Sequence, residues 1–152
     1  MEKQLKKHLL NGKFYNVSKI RSKTMAAIRS KNNKSTEMRL RMALIRAGFN
    51  GWFLNYDKIK GKPDIFFPIK KVAVFVDGCY WHGCPKCGHI PKTRTTFWAA
   101  KLCRNTQRDR TLNRFLRTSG IKVFRFWEHE LQSKFGLDKV VRKLKRAIYD
   151  EI

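Results

Sequence analysis

Residues 63–87 read PDIFFPIKKVAVFVDGCYWHGCPKC, and they carry much of what can be inferred about the fold and its chemistry. Two short apolar runs, DIFF and VAVFV, are separated by Pro68–Lys71, which is the spacing of a β-hairpin. Antiparallel pairing would bring Asp64, at the start of the hairpin, close to Asp77, just past its end. Two carboxylates at one place could bind a hard cation such as Mg²⁺.

Three cysteines follow the second run with the spacing C-x4-C-x2-C, at Cys79, Cys84 and Cys87. This spacing lets thiolates converge on one tetrahedral metal ion, typically zinc. A fourth ligand is then needed, and the candidates are His82, His89, Cys103 and His129. We favour His129, which follows a predicted strand. Plant-type iron–sulfur proteins share the spacing and add a distant cysteine, so a cluster that uses Cys103 is an alternative, as are unligated thiols.

The composition points to a polyanionic partner. The chain has 152 residues, with 35 Lys and Arg against 11 Asp and Glu, a formal net charge of +24 and a pI of about 10.5. This excess is far larger than solubility requires, so we expect a nucleic acid as partner rather than a merely basic surface. No apolar run is long enough to cross a membrane, and no signal peptide is recognisable. Clustered cysteines suit a reducing compartment, so we expect a cytoplasmic protein.

The N-terminal region is basic. Residues 1–34 contain ten Lys or Arg and a single acid, Glu2. We interpret residues 1–17 as a basic arm, either disordered or folding onto a phosphate backbone, and residues 18–152 as one domain. Within the basic region the pattern predicts one short helix, around residues 24–30.

Beyond the hairpin, the pattern predicts a mixed sheet flanked by helices. The further elements are a helix from 35 or 36 to 47, a strand at 52–56, a helix at 95–119, a strand at 123–127 and a helix at about 137–149. The order α-β-β-β-α-β-α predicts an α/β fold. Glu37 lies in the first turn of the first helix, on the face of Leu40 and Leu44. It either complements the helix dipole or belongs to a site.

The long helix has polar residues on the face that should be apolar. That face follows a 3-4-3-4 spacing and contains Leu102, Asn105, Asp109, Leu112 and Leu116. A buried acid requires a partner. Asp109 therefore either pairs with an arginine such as Arg108 or Arg110, or lies at the reaction centre, which is the interpretation we favour.

Several of these motifs form a pattern that runs from about Ser18 to the C-terminus. They are Pro63-Asp64, the run VFVDGCYWHGCP, PKTR at 91–94 with Phe97-Trp98, Arg108-Asp109-Arg110, Trp127-Glu128-His129 and M-x-x-I-R-S at 25–30. Together they resemble the very short patch repair DNA mismatch endonucleases. That resemblance implies a restriction-endonuclease-like α/β fold with a structural zinc site. It also implies Mg²⁺-dependent nicking of one strand of duplex DNA beside a T:G mismatch.

The resemblance further implies roles for three groups of residues. The catalytic group would be His82 as general base, Asp109 as its support, Asp64 as the principal Mg²⁺ ligand with the main-chain carbonyl of Val76, and Glu37. The structural zinc ligands would be Cys79, Cys84, Cys87 and His129. The aromatic side chains inserted into the base stack near the mismatch would be Tyr80, Trp81 and Trp98.

Two departures from the expected pattern concern Asp77. It stands where the best-known pattern of the family has histidine, so it could be an additional Mg²⁺ ligand. Where the wider nuclease superfamily has an acid-x-lysine motif, this chain has Asp77-Gly78-Cys79. The usual lysine is missing, which leaves the related work to His82.

Two competing classes stay open at this stage. One is a zinc-stabilised nucleic-acid-binding module without catalysis, and the other is a protein that binds or cleaves RNA. If the resemblance holds, we expect a monomer that acts at the nucleoid on double-stranded DNA with a T:G mismatch. Mismatch-repair or replication proteins would be its protein partners.

Overall fold

The computed structural model describes residues 37–149, together with residues 7, 18–20 and 23. The predicted helix at 24–30 lies outside this part of the chain, and so does the arm of residues 1–17 except for Lys7. The division between an arm and a domain at residue 18 therefore stays a prediction.

Residues 37–149 form three α-helices, four strands and one 3₁₀ helix. They are α1 (Glu37–Arg46), β1 (Phe53–Leu54), β2 (Ile65–Phe67), β3 (Val72–Asp77), α2 (Thr95–Thr118), β4 (Lys122–Trp127), the 3₁₀ helix (Glu128–Leu131) and α3 (Lys134–Tyr149). The predicted order α-β-β-β-α-β-α is confirmed, and the 3₁₀ helix is an addition to it. No helix in the described residues is long and apolar enough to cross a membrane.

Two element boundaries differ from the prediction for local reasons. β1 is shorter than predicted because Asn55 has a φ of 47°, a left-handed conformation that ends the strand. α3 starts at Lys134 rather than near Leu137. There the Ser133 hydroxyl accepts a hydrogen bond from the N–H of Gly136 at 3.0 Å. This is a typical N-terminal cap, and it makes the helix start earlier in the chain than predicted.

The sheet is mixed, with the order β1-β2-β3-β4. β1 and β2 are antiparallel, β2 and β3 form the predicted antiparallel hairpin, and β3 and β4 are parallel. α2 is the crossover connection that a parallel pair requires. The predicted mixed sheet flanked by helices is thus confirmed.

The sheet has helices on both faces. On one face α1 and α3 enclose the larger core, which contains Leu40, Leu44, Ile65, Val72, Val74, Phe126, Val140, Leu144 and Ile148. On the other face α2 covers a smaller core, which contains Phe66, Ala73, Phe75 and Leu116. Leu116 belongs to the predicted inward face of the long helix, and it is fully buried.

Strand alternation places three charged residues under α2. Successive side chains of a strand point to opposite faces. Asp77 therefore shares a face with Phe75, and Asp64 shares a face with Phe66. Arg125 of β4 lies opposite Phe75 in the parallel register, and its guanidinium lies 4.9 Å from the centre of that ring. The pairing of the strands thus brings an acid from each end of the hairpin and a basic residue to one side of the sheet.

Candidate active site

A cleft of about 730 Å³ lies between the start of α1, the hairpin and α2. Its wall includes four acids and one histidine, which are Glu37, Asp64, Asp77, His82 and Asp109. These residues come from four separate parts of the chain. The structure therefore brings together in one cleft every side chain that the sequence proposed for catalysis.

Asp64 is a half-buried acid whose charge is only partly compensated. Its Oδ2 accepts the main-chain N–H of Val76 at 2.7 Å. Burial raises the pKa of Asp64 to about 6, and the negative charges of Glu37 and Asp77 add to this effect. The hydrogen bond from Val76 and the charge of Arg125 offset it only in part. This carboxylate would gain from a nearby cation.

His82 and Asp109 form a hydrogen-bonded pair in the same cleft. Nδ1 of His82 lies 2.6 Å from Oδ2 of Asp109. Burial alone would raise the pKa of Asp109, but the hydrogen bond with His82 and the charge of Arg125 outweigh burial and lower that pKa. Asp109 is therefore an ionised acceptor at neutral pH, and His82 donates from Nδ1. The partner of Asp109 is thus mainly His82, although Arg108 Nη2 also lies 3.6 Å from its Oδ1.

Asp77 is held by Arg125, a residue that the sequence analysis did not single out. Nε and Nη2 of Arg125 donate to the two oxygens of Asp77, each at 2.6 Å. Arg125 also lies near α2, with Nη2 at 3.4 Å from Oδ1 of Asp109 and Nη1 donating to Oδ1 of Asn113 at 3.3 Å. The sequence feature that could have identified Arg125 is its position as a single charged residue inside the apolar run VFRFW. Asp77 also lies 3.6 Å from Nδ1 of His82.

The loop after β3 points its side chains in two directions. Main-chain bonds from the N–H of His82 to Gly78 O (3.2 Å) and from the N–H of Cys84 to Cys79 O (3.0 Å) tighten it into consecutive turns. The side chain of Asn105 on α2 donates to the carbonyl of Trp81 at 2.9 Å and ties the loop to the helix. As a result His82 contacts α2, while the cysteines lie near the 3₁₀ helix. His82 thus points away from the cysteines, as predicted.

A second cluster, separate from the acids, contains three cysteines and one histidine. The Sγ atoms of Cys79, Cys84 and Cys87 lie 3.2, 3.5 and 3.5 Å from Nδ1 of His129. All four ligand atoms lie within 4.8 Å of one another, so the group is a candidate metal site. His129 belongs to the 3₁₀ helix, whose start is fixed by a bond from the N–H of Trp127 to the Glu130 carboxylate at 2.7 Å. The other candidates for a fourth ligand are not in the group.

The aromatic residues of the loop pack against the start of α2. Tyr80 and Trp81 meet edge to face with ring centres 4.9 Å apart, and Trp98 lies 5.6 Å from Tyr80 and 6.0 Å from Trp81. Trp98 and Phe97 are buried in this small cluster, whereas Tyr80 and Trp81 are half-buried. Lys101 Nζ lies 5.2 Å from the centre of the Trp81 ring. Of the three predicted wedge residues, Trp98 is the least accessible.

Comparison with known proteins identifies the family. The family model described as DNA mismatch endonuclease Vsr matches residues 14–89. The type II nicking enzyme V.NaeI of Lentzea aerocolonigenes is 46% identical over 114 residues, which cover 72% of this chain and 68% of that protein. The type II nicking enzyme V.NmeAIP of Neisseria meningitidis is 40% identical over 134 residues, which cover 84% of this chain and 94% of that protein. The DNA mismatch endonuclease Vsr of Escherichia coli K12 is 32% identical over 117 residues, with coverages of 75% and 72%.

These matches confirm the resemblance and, with it, the restriction-endonuclease-like fold class. They also show that the protein is a DNA endonuclease of the nicking type. This chain, with its acid-lined cleft and its cysteine–histidine cluster, belongs to the DNA mismatch endonuclease Vsr family.

Proposed function

We propose that this chain nicks one strand of duplex DNA at a T:G mismatch, as in very short patch mismatch repair, with Mg²⁺ as catalytic cation. The observation that carries the proposal is the cleft itself. It combines a hydrogen-bonded His82–Asp109 pair with the undercompensated carboxylate of Asp64 on a strongly basic protein. A phosphodiester requires both a metal-polarised oxygen and an activated water for rapid hydrolysis.

Asp64 and the main-chain carbonyl of Val76 would hold the Mg²⁺. A hard cation prefers oxygen ligands, and burial, with the nearby charges of Glu37 and Asp77, raises the pKa of Asp64, so a bound cation would stabilise its carboxylate. The N–H and C=O of one strand residue point to the same edge, so the bond from Val76 N–H to Asp64 puts the Val76 carbonyl on the Asp64 side of β3. When bound, Mg²⁺ polarises the phosphate and lowers the pKa of water.

His82 would take the proton of the attacking water at Nε2. Since Nδ1 donates to Asp109, the neutral imidazole has its free lone pair on Nε2. Asp109 would fix this tautomer and stabilise the imidazolium that forms. Glu37, at the start of α1, would act as a further acid of the active site, close enough to Asp64 to raise its pKa.

The cysteine–histidine cluster would hold a structural Zn²⁺. Three thiolates and one imidazole complete a tetrahedral set and leave no position for substrate, which is the signature of a structural rather than a catalytic site. His129 supplies the fourth ligand atom, so a zinc site is favoured over an iron–sulfur cluster that would need Cys103. The ion would stabilise the loop that carries both Trp81 and His82.

DNA recognition would combine charge and stacking. A formal net charge of +24 favours a phosphate backbone, and Lys60, Lys62 and Arg108 line the cleft. Tyr80 and Trp81 would enter the base stack near the mismatch, since they are half-buried and at the margin of their cluster. Trp98 would have to leave its buried position to do the same, so its first contribution would be to support the other two rings.

A nicking assay tests the proposal. End-labelled duplexes with each possible mismatch, in varied flanking sequences, are incubated with zinc-loaded protein with and without Mg²⁺. We expect a single-strand nick at T:G that requires Mg²⁺, and a reduction of about 10²–10⁴-fold in rate for His82→Ala. The exposed Asp57→Asn is a matched control that should keep the wild-type rate.

Equal nicking of matched duplexes would contradict the T:G preference, and cleavage without Mg²⁺ would contradict the cation assignment. An RNA duplex of the same sequence tests the RNA alternative, and binding without any nicking would support the non-catalytic module. We expect a monomer in sedimentation, and we expect added mismatch-repair or replication proteins to change the rate. Location at the nucleoid stays a prediction.

A further inference from the structure

Arg125 of β4 contacts both β3 and α2 in the cleft. Its guanidinium donates two parallel hydrogen bonds to Asp77, each at 2.6 Å, and its Nη1 donates to Asn113 at 3.3 Å. It stacks on the ring of Phe75 at 4.9 Å. The side chains of Arg125 and Asp77 are only 17% and 7% exposed. A planar, bidentate, largely buried pair of this kind is a rigid arrangement that lysine could not reproduce.

The pair occupies both oxygens of Asp77. Each oxygen keeps a further lone pair, but a cation bound there would lie close to the guanidinium charge and would weaken the charge-assisted hydrogen bonds of the pair in a region with little water. Breaking a buried pair leaves an uncompensated charge and is strongly unfavourable. Asp64 differs because its side chain accepts the main-chain N–H of Val76 rather than a bidentate arginine. The two acids at the ends of the hairpin are therefore not equivalent.

The same guanidinium also faces Asp109. Nη2 of Arg125 lies 3.4 Å from Oδ1 of Asp109, while Oδ2 of Asp109 lies 2.6 Å from Nδ1 of His82. One oxygen of Asp109 thus faces the arginine and the other faces the histidine. Because Asn113 lies one helical turn beyond Asp109 on α2, the contact between Arg125 and Asn113 also fixes the helix against β4.

We propose that Arg125 is a positioning residue of the nicking reaction: it keeps Asp77 away from the catalytic cation and orients Asp109 toward His82. This inference rests on the function proposed above. It revises the expectation that Asp77 is an additional Mg²⁺ ligand. Asp77 instead acts through Arg125, because its two hydrogen bonds hold the guanidinium in the orientation that contacts Asp109.

Cation binding is the first test. The probe is Mn²⁺ in place of Mg²⁺, titrated into the zinc-loaded full chain and followed by electron paramagnetic resonance. Asp77→Asn should keep the Mn²⁺ affinity within about threefold, whereas Asp64→Asn should bind Mn²⁺ at least tenfold more weakly, in line with the roughly 10- to 100-fold effects of altered metal sites. A reduction for Asp77→Asn as large as that for Asp64→Asn would overturn the inference.

The second test uses Arg125→Gln and the double variant Asp77→Asn/Arg125→Gln. In single-turnover nicking we expect Arg125→Gln to be about 10- to 100-fold slower, with DNA affinity within about threefold. The double variant no longer buries an unpaired carboxylate, but it still lacks the guanidinium beside Asp109, so it should be faster than Arg125→Gln and slower than the wild type. If Arg125 bound the scissile phosphate itself, the double variant would stay as slow as the single one, which would overturn the inference.

A third readout follows the imidazole directly. In long-range ¹H–¹⁵N spectra His82 should carry its proton on Nδ1 in the wild type and mix tautomers in both Arg125→Gln and the double variant, because both lack the guanidinium that faces Asp109. An unchanged tautomer in Arg125→Gln would overturn the link to Asp109. If Arg125→Gln does not fold, Arg125→Lys is the alternative variant, because it keeps the positive charge but cannot donate two parallel hydrogen bonds to Asp77. It should slow nicking while Mn²⁺ affinity is retained.

A failure of the proposed function would give a different result. In that case the wild type would not nick T:G duplexes, or Asp64→Asn would keep both Mn²⁺ binding and nicking. If only the present inference fails, Asp64→Asn still loses Mn²⁺ binding and nicking. Only the results for the Asp77 and Arg125 variants then differ from those expected.

Discussion

Asp64→Asn should make the metal-free protein more stable while abolishing its nicking activity. The carboxyl group is largely buried, and burial raises its pKa to about 6 from an ordinary value of 3.8. Asparagine has nearly the same shape, and its Oδ1 can still accept the N–H of Val76. The substitution therefore removes a buried charge and keeps the hydrogen bond.

The size of the effect follows from the shift in pKa. A difference of about two pKa units corresponds to about 3 kcal/mol, because each unit contributes about 1.4 kcal/mol. Between about pH 4 and pH 6, Asp64 is protonated in a larger fraction of folded molecules than of unfolded molecules. The free energy of unfolding therefore falls as the pH rises through this window, and the full cost is present above pH 6. Since the buried amide also loses hydration, about 3 kcal/mol is an upper value.

Urea unfolding of wild type and variant measures this difference. At pH 7.5, without Mg²⁺ and without a chelator that would remove zinc, Asp64→Asn should be more stable by up to about 3 kcal/mol, or roughly 6–12 °C in Tm for a chain of this size. At pH 4.5 the gap should shrink to about 1 kcal/mol, because most of the titration window has been passed. Mg²⁺ should stabilise the wild type alone, since a ligand stabilises only a state that binds it. The exposed Asp57→Asn should change stability by less than about 0.5 kcal/mol.

Two outcomes would refute this reasoning. One is a variant no more stable than the wild type at pH 7.5, which would mean that the protein already compensates the Asp64 charge. The other is a stability gain that stays constant between pH 4.5 and pH 7.5, which would assign the effect to packing rather than to charge.

The other predictions concern the metal cluster and the DNA interface. Cys84→Ser should lose one zinc per chain and unfold at lower urea, as measured by metal analysis and circular dichroism; a visible iron–sulfur absorption in the wild type would contradict the assignment. Gly88→Ala should also lose zinc, because its Cβ would collide with the main chain of Cys84; full zinc content would show that the turn can relax. Trp81→Ala should bind matched and T:G duplexes almost alike in a titration at fixed salt, since the wedge exploits the easier unstacking of a mismatch by a few kcal/mol; retained preference would make Trp81 structural. Deleting residues 1–17 should flatten the slope of log K against log salt by about 0.9 for each phosphate that the arm neutralises, and an unchanged slope would show that the arm does not touch DNA.

Much of the site could be predicted because its chemistry is local in the chain. The loop from Cys79 to Cys87 places three thiols within nine residues, so their convergence could be predicted without knowledge of the fold. The hairpin is equally local, since four residues join two apolar runs. Asp109 stood out because an acid on an apolar helix face needs a partner. In each case the signal was a conflict or a spacing visible within a few residues.

The boundaries that differ from the prediction depend on single conformations. Asn55 ends β1 by adopting a positive φ, and nothing in its neighbours requires this. α3 starts early because the Ser133 hydroxyl accepts the N–H of Gly136 and caps the helix. The sequence argued against this start, since glycine ordinarily weakens a helix.

The sequence by itself determined an α/β order of elements, a chelating set of thiols, and a short list of candidate catalytic residues, four acids and one histidine, on a basic chain. Tertiary structure alone decided which of these charges meet. Arg125 is 48 residues from Asp77, and only the parallel pairing of β3 and β4 puts them on one face under α2. In sequence an arginine in a strand looks the same whether it faces solvent or a buried acid, because strand alternation gives two faces without saying what covers them. The pairing of β3 with β4 made Asp77 the partner of Arg125 and left Asp64 with a single main-chain donor.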